Sequence, residues 1–352
     1  MKKNKFWLAA MAVTVSMASC SLEEVMEQPE PQAIGFSSFV GKPTRAVTEI
    51  IKPDGTESGV QNRLTNFYVF GRYGDKNGAN YSNVVYENAE VTVDDSNFEN
   101  VGPTDVQYWA LNKDYKFAAY SDGNSKIESN ISFGTDGNIT ITGYSAGSND
   151  LILATPAEVQ TNATISAQPN AVPLTFNHLL SQVSFQFVGE GFPAGYQIKI
   201  TDLTFSVNNT ATYTSSTEDW VVSVSASSVD REYTVNSGNS FAFATETKSD
   251  ANFVIPQSYS SDITAAFTAT IYDKYNSEVA SKAFTTASLL ANSTTGIPAE
   301  WVKGNRYQYN IKITPSEMTN MFPIKFTVTT VSDWLDSTTP GASDDLTNTA
   351  KP

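Results

Sequence analysis

Arg306-Tyr307-Gln308-Tyr309-Asn310-Ile311-Lys312-Ile313 alternates polar and apolar side chains without a break. Successive side chains of a β-strand point to opposite faces, so Tyr307, Tyr309, Ile311 and Ile313 share one face and the polar set the other. One buried face and one wet face is the pattern of an antiparallel sheet packed on a core. The same alternation follows in Ile324, Phe326 and Val328, with Lys325, Thr327 and Thr329 between them and Val331 and Trp334 beyond.

Working outward, the alternation recurs along the chain. Phe267, Ala269 and Ile271 carry it, as do Val183, Phe185 and Phe187, and Val172, Leu174 and Phe176. Ile198 and Ile200 are followed by Leu203, Phe205 and Val207; the change of parity predicts a bend or bulge near Thr201-Asp202. In the N-terminal half, Phe67 and Val69 alternate with Tyr68 and Phe70, Val91 and Val93 flank Thr92, and Tyr115 and Phe117 lead into Ala119 and Tyr120. Ile139 and Ile141 alternate with Thr140 and Thr142, while Asp122-Gly123 and Asp136-Gly137 are hairpin-type turn pairs. Abundant Thr, Ser, Val, Asn, Tyr and Phe favour strands and turns over helix. No long amphipathic helix is evident; Thr286 to Asn292 is a short helical candidate. The texture changes after the polar stretch 160–170. The expected architecture is all-β, with two antiparallel β-sandwich domains at 46–170 and 171–336 and a polar tail at 337–352.

The start of the chain has its own character. Lys2, Lys3 and Lys5 precede an apolar run from Phe6 to Met17, too short to stay in a bilayer as a helix. Residues 1–19 read as a cleaved export signal. It ends at Cys20, the only cysteine, whose thiol is placed for lipid attachment once it becomes the first mature residue. The tail Met17-Ala18-Ser19-Cys20 resembles a bacterial lipobox. The three lysines leave with the signal, which shifts the net charge from −15 to −18. An acidic surface argues against nucleic acid as a partner. With no second cysteine, no intrachain disulfide is available, and stability must come from core burial and backbone pairing. Residues 20–45 form a leader: polar from 21 to 33, then a short strand in which Ile34, Phe36 and Val40 share a face, then a break at Gly41-Lys42-Pro43-Thr44-Arg45-Ala46. The acids after Cys20 resemble the export tag of surface-exposed lipoproteins in Bacteroides-like bacteria, and serve equally as a solvated tether.

Chemistry-bearing patterns are weak. Gly143-Tyr144-Ser145-Ala146-Gly147 fits the nucleophile elbow, which works only as a sharp turn from strand to helix. Here the strand-like Leu151-Ile152-Leu153 follows, so a loop between strands is expected. His178 is the only histidine, and one histidine with one cysteine does not make a zinc site. It reads as a partly buried residue with one hydrogen bond. Asp75-Lys76-Asn77-Gly78 begins like a calcium loop, but Tyr86 stands where the closing glutamate belongs. Asp94-Asp95 is read as solvated, and no phosphate-binding glycine motif is present. The expectation is no enzyme, no metal and no cofactor.

Several segments together resemble the fimbrillins of Bacteroides-type bacteria, pilins with FimA-like and Mfa-like members. They are the lipobox at Cys20, Ala33-Ile34-Gly35-Phe36 through Thr44-Arg45-Ala46, Tyr108-Trp109 with Tyr115-Lys116-Phe117-Ala118-Ala119-Tyr120-Ser121, and Val172-Pro173-Leu174-Thr175-Phe176-Asn177-His178-Leu179-Leu180-Ser181. Val254-Ile255-Pro256-Gln257 and Trp301-Val302-Lys303-Gly304-Asn305-Arg306-Tyr307 echo them later.

The resemblance implies transthyretin-like Greek-key sandwiches and a subunit of a surface-exposed fimbria on the outer membrane. The precursor would be held there by lipid on Cys20 until an arginine-specific protease cuts between Arg45 and Ala46. Arg63 and Arg72 are further candidate sites. The cut removes the strand carrying Ile34, Phe36 and Val40 and opens a groove for a strand of a neighbouring pilin subunit. Ile324, Phe326 and Val328 form the candidate donor, or an ordinary closing strand. Adhesion to a host or bacterial surface ligand would follow. The alternatives are a non-polymerising anchor or tip subunit, and a surface lipoprotein that binds glycans through Trp109, Trp220 and Trp301.

Overall fold

The computed structural model describes residues 31–40, 64–93, 100, 101, 103, 105–169, 171–222, 228–258, 264–288, 300–319 and 326–331. In chain order the first strands are β1 (Phe36–Val40), β2 (Asn66–Asp75), β3 (Asn83–Val93), β4 (Asn100–Val101), β5 (Lys113–Asp122), β6 (Ile131–Phe133) and β7 (Ile139–Ser145). There follow β8 (Leu151–Ala154), β9 (Val159–Gln160), β10 (Val172–His178), β11 (Ser181–Gly189), β12 (Gln197–Asn208), β13 (Thr210–Thr214) and β14 (Asp219–Val222). The last are β15 (Ser228–Tyr233), β16 (Phe241–Ala242), β17 (Thr247–Val254), β18 (Thr264–Tyr272), β19 (Glu278–Ser288), β20 (Arg306–Ile313) and β21 (Phe326–Val331), with one short helix, α1 (Pro315–Thr319), between the final two.

The all-β expectation holds. The largest sheet has the order β1-β10-β8-β5-β2-β3-β4, with β9 also on β5. A small sheet, β14-β13-β7-β6, covers one of its faces: Tyr68, Phe70, Tyr120, Leu151 and Leu153 pack there against Ile139, Ile141, Ala211, Tyr213 and Trp220. The opposite face carries Phe67, Val69, Phe117, Val172, Leu174 and Phe176. Covering on both faces explains why Phe67-Tyr68-Val69-Phe70 is apolar at every position, since neither parity faces water. Two further sheets, β17-β11-β20-β21 and β15-β12-β18-β19, enclose a third core that includes Phe185, Phe187, Phe205, Phe267, Trp301 and Tyr309. There β20 alternates half-exposed and buried positions as its sequence foretells.

The parity change in β12 is a bulge: its register with β18 slips between Thr201 and Thr204, and Asp202 takes φ 53°. Thr286–Ser288 departs from the helical expectation. It continues β19, with Ala287 and Ser288 opposite Ala265 and Thr264 of β18. A neighbouring strand with free edge groups outweighs a weak local preference. Residues 289–292 of that candidate lie outside the described residues. Among the described residues two ladders are parallel, β1 on β10 and β11 on β20, and the other strand pairs are antiparallel. Side-chain alternation is blind to strand direction, so the sequence pattern carries no trace of them. The chain also crosses position 170 within one sheet: β10 pairs with β1 and β8, while β13 pairs with β7.

Gly189, at the end of β11, lies directly beneath the Phe243 ring, which stacks on Phe192 at 3.9 Å. Any Cβ at position 189 would overlap that ring. Overpacking of this kind costs about 1–3 kcal/mol. Gly189→Ala is expected to lower the unfolding free energy by that amount, read as a lower urea midpoint at unchanged m, and an unchanged midpoint would show that the ring moves aside freely.

Candidate functional site: the seat of the first strand

Strand β1 lies parallel to β10, with Phe36 opposite Val172, Ser38 opposite Leu174 and Val40 opposite Phe176. The Val172 amide donates to the Gly35 carbonyl at 2.8 Å. Just upstream, the Ile34 amide donates to Gln107 and the Trp109 amide to Gln32, at 2.8 and 3.2 Å, and Ala33 bridges Tyr108 in antiparallel sense. Amides of consecutive residues leave opposite edges of an extended chain. The leader is therefore held between two backbones, β10 on one side and Gln107–Trp109 on the other. The Gln32 amide group further donates to the Pro169 carbonyl at 3.0 Å.

The side chains explain the depth of the seat. Ile34 and Phe36 are 3% and 6% exposed. The Phe36 ring meets Phe67 and Phe117 edge-on, with centroids at 6.4 and 5.7 Å and interplanar angles of 87° and 85°. Tyr86 closes the third side at 5.8 Å. Trp109 stands edge-on to Phe117 at 6.0 Å and to Tyr115 at 4.8 Å. These are the favoured aromatic geometries, worth about 0.5–1.5 kcal/mol each beyond area burial. Burying Ile34 and Phe36 adds about 1.5–3 kcal/mol per side chain. The walls come from β2, β3 and β5, so the cage stands on the middle of the sheet.

Strand β10 is itself anchored at its far end. His178 Nδ1 lies 2.5 Å from Asp150 Oδ2, and the Leu179 amide donates to the Leu151 carbonyl at 2.9 Å. Nearby, the Tyr144 hydroxyl donates to Asp122 Oδ1 at 3.1 Å. Burial pushes the Asp122 carboxyl up to about 6; the Tyr144 hydrogen bond opposes this and the charge of Asp150 adds to it. Burial likewise raises the Tyr144 phenol.

Of the residues singled out in the sequence, Ile34 and Phe36 fill this seat, and Val40 continues the β1 ladder. Phe326 and Val328 belong to β21, an edge strand whose register places them opposite Ile311 and Tyr309 of β20. Cys20, Arg45, Ala46, Arg63, Asp94-Asp95 and Ile324 lie outside the described residues. Gly143, Tyr144 and Ser145 belong to β7, with Ser145 opposite Thr210 of β13, so this stretch is paired strand rather than the expected loop, because β13 offers it a ladder, and it does not make the elbow's turn. The Asp75–Gly78 stretch turns β2 into β3: Asp75 pairs with Lys113 at 2.6 Å, and the Asn77 amide donates to Asp114. Trp109, Trp220 and Trp301 are all buried, and the indoles of the last two donate inward, to the Leu179 carbonyl and the Tyr309 hydroxyl. They build core rather than an exposed stacking row. Sequence reasoning missed the Gln107–Trp109 clamp and the cage of Phe67, Tyr86 and Phe117; the Tyr108-Trp109 pair was the one available pointer.

A sequence profile described as fimbrillin-like matches residues 44–334. Among solved structures, the chain is similar to a fimbrial protein from Bacteroides vulgatus, at 16% identity and a TM-score of 0.56, over 86% of this chain and 100% of that one. It is also similar to the fimbrial anchor protein Mfa2 from Porphyromonas gingivalis, at 11% identity and a TM-score of 0.35, over 85% of this chain and 97% of that one. At such identities the first likeness speaks for the fold. No curated protein matches the sequence.

The Asp122 carboxyl holds its proton more tightly in the folded protein than in the unfolded chain. The stability it contributes is full below about pH 4 and is lost as pH rises through about 6. A two-unit shift corresponds to about 2–3 kcal/mol. Asp122→Asn removes this dependence, so the variant should gain about that much on wild type between pH 4 and pH 7.5 in urea titrations. A difference that stays constant with pH would show that Asp122 titrates normally.

Proposed function

The chain belongs to the fimbrillin-like family, and from that premise we propose that it is a structural subunit of a cell-surface fimbria whose first strand is a removable placeholder. The precursor is tethered to the outer membrane through lipid on Cys20. An arginine-specific protease cuts after Arg45, the new chain starts at Ala46, and β1 departs with the lipid. A strand from a neighbouring subunit then takes the vacated place. Head-to-tail repetition of that contact makes an open filament, which supports adhesion to host or bacterial surfaces.

The observation that carries this reading is the seating of β1 at the end of a sheet, separated in sequence from β2 by residues 41–65, with Phe36 in an aromatic cage and Ile34, just before the strand, buried in the same cluster. A groove of unpaired backbone and apolar pockets is a strong site for an added strand. The arginines support the cleavage step. Of the five in the chain, Arg72, Arg231 and Arg306 sit in paired strands. Arg72 also donates to the Phe133 carbonyl, and Arg231 to those of Gly147 and Phe253. A protease must draw an extended segment into its own cleft, which a paired strand resists. The remaining two, Arg45 and Arg63, both fall between β1 and β2, so a cut at either one frees the first strand from the body.

N-terminal sequencing of protein sheared from its native cells tests the proposal. A start at Ala46, with a ladder of high-mass species on an unboiled gel, is the expected result. Arg45→Ala should abolish that start and cut the ladder at least tenfold, unless Arg63 substitutes, in which case the double variant does so. A lipid-bearing start at Cys20 with monomer alone would overturn polymerisation and leave a tethered subunit.

A further inference from the structure

Strand ends from three of the sheets meet around a cavity of about 470 Å³, a size suited to a small molecule. Asn208 closes β12, Asp219 opens β14 and Pro256 follows β17, while the turn Trp301–Lys303 bounds the remaining side. The walls are tied to one another. The Trp301 amide donates to the Gln257 carbonyl at 2.9 Å, and Ser258 bridges Glu300 in antiparallel sense. The indole N–H groups of Trp220 and Trp301 donate to Leu179 and Tyr309, so what these two rings offer the cavity is carbon, as do Val222 and Val302.

The polar groups of the lining divide unevenly. Its one cation, Lys303, is already engaged: Nζ donates to the Glu218 carbonyl at 2.7 Å and stands 3.7 Å from the Glu218 carboxylate. Asp219 and Glu300 also line the cavity, and among the described residues neither takes part in an ion pair. Gln257 is 8% exposed, and its Nε2 donates to the carbonyls of Asn208 and Ile255 at 2.9 and 3.1 Å. Two carbonyl partners fix which way the amide faces. Its Oε1 accepts no hydrogen bond from any described residue. A buried acceptor without a donor is destabilising until something supplies one.

We propose that this cavity binds an aliphatic ammonium group. The ammonium donates to Gln257 Oε1, its charge lies beside Asp219 and Glu300, and its methylene stem rests on Trp220, Val222 and Val302. An ammonium carries three donors and no acceptor, which matches an acceptor-rich lining. A neutral polyol brings an acceptor with every donor and leaves both carboxylates without a counter-charge. The cavity shares no residue with the seat of β1, so the proposal stands independently of the pilin reading.

Isothermal titration calorimetry of the full-length protein at neutral pH and low salt tests this. 1,5-Diaminopentane is expected to bind, and 1,5-pentanediol, its neutral match in length, to bind about tenfold more weakly or less. Added salt should weaken the amine and leave the diol unchanged. Asp219→Asn combined with Glu300→Gln keeps size and lies at exposed positions, so its melting temperature without ligand should equal that of wild type. It should lose about tenfold or more in amine affinity. Gln257→Glu, which adds a carboxylate where the amide oxygen stands, should bind the amine more tightly wherever it melts as wild type does. Equal binding of amine and diol overturns the charge match. Undiminished amine binding by the folded double variant places the ligand elsewhere and overturns the site, as does no amine binding by wild type. A free amine and the lysine side chain of another protein share this chemistry. Tighter binding of Nα-acetyl-lysine methylamide than of the diamine supports the site with a protein side chain as its ligand, and the reverse order supports it with a free amine.

Discussion

The large sheet depends on β10 having a partner on the β1 side. Val172, Leu174 and Phe176 are fully buried, so β10 behaves as an interior strand, yet its outer neighbour is a five-residue segment near the start of the chain. An interior strand without that neighbour would expose both its backbone groups and one wall of a core. Exposed strand edges attract whatever extended chain can pair with them. The placing of β1 meets this constraint, and the same constraint would call for a substitute if β1 were removed.

The energetics of the seat suit an exchange. Ile34 and Phe36 bring apolar burial and ring contacts, and two flanking backbones bring hydrogen bonds. Those terms are sizeable for a continuous chain, for which the leader is present at high effective concentration. A detached leader would have to hold on through the same few contacts after losing that advantage. Under the proposed exchange, a donor that belongs to a folded neighbour would regain part of it, because a bound subunit would keep its donor close to the site.

The strands were largely legible in the sequence because burial on one face writes itself as alternation, and β20, β12 and β18 carry it plainly. The bulge at Thr201-Asp202 was legible for the same reason, since parity cannot change without one. Other features left no such mark. The doubly covered β2 reads as a plain apolar run, the parallel sense of β1 and β11 is invisible to alternation, and Thr286–Ser288 followed its neighbour β18 rather than its local composition. The site was half legible. Ile34, Phe36 and Val40 stood out as one apolar face of a short strand, whereas the cage around Phe36 comes from positions 67, 86 and 117, which only the folded sheet brings together. The clamp at Gln107–Trp109 acts through backbone groups, which every residue type supplies alike.

The division of the cores would confine the effect of losing the leader. Ile34 and Phe36 contribute to one buried cluster only. The cluster between the large and small sheets draws on residues from Tyr68 onward, and the one enclosed by the other two sheets on residues from Val183 onward. A cut between β1 and β2 therefore leaves two cores whole and opens the third along a single line. The opened cluster keeps Phe67, Tyr86, Trp109, Phe117 and Phe176, which contact one another as well as the leader. Among the described strands β1 comes first and pairs with β10, so a cut between β1 and β2 would sever no other ladder. A body cut there would keep two whole cores, and the residues lining the seat of β1 would stay with it.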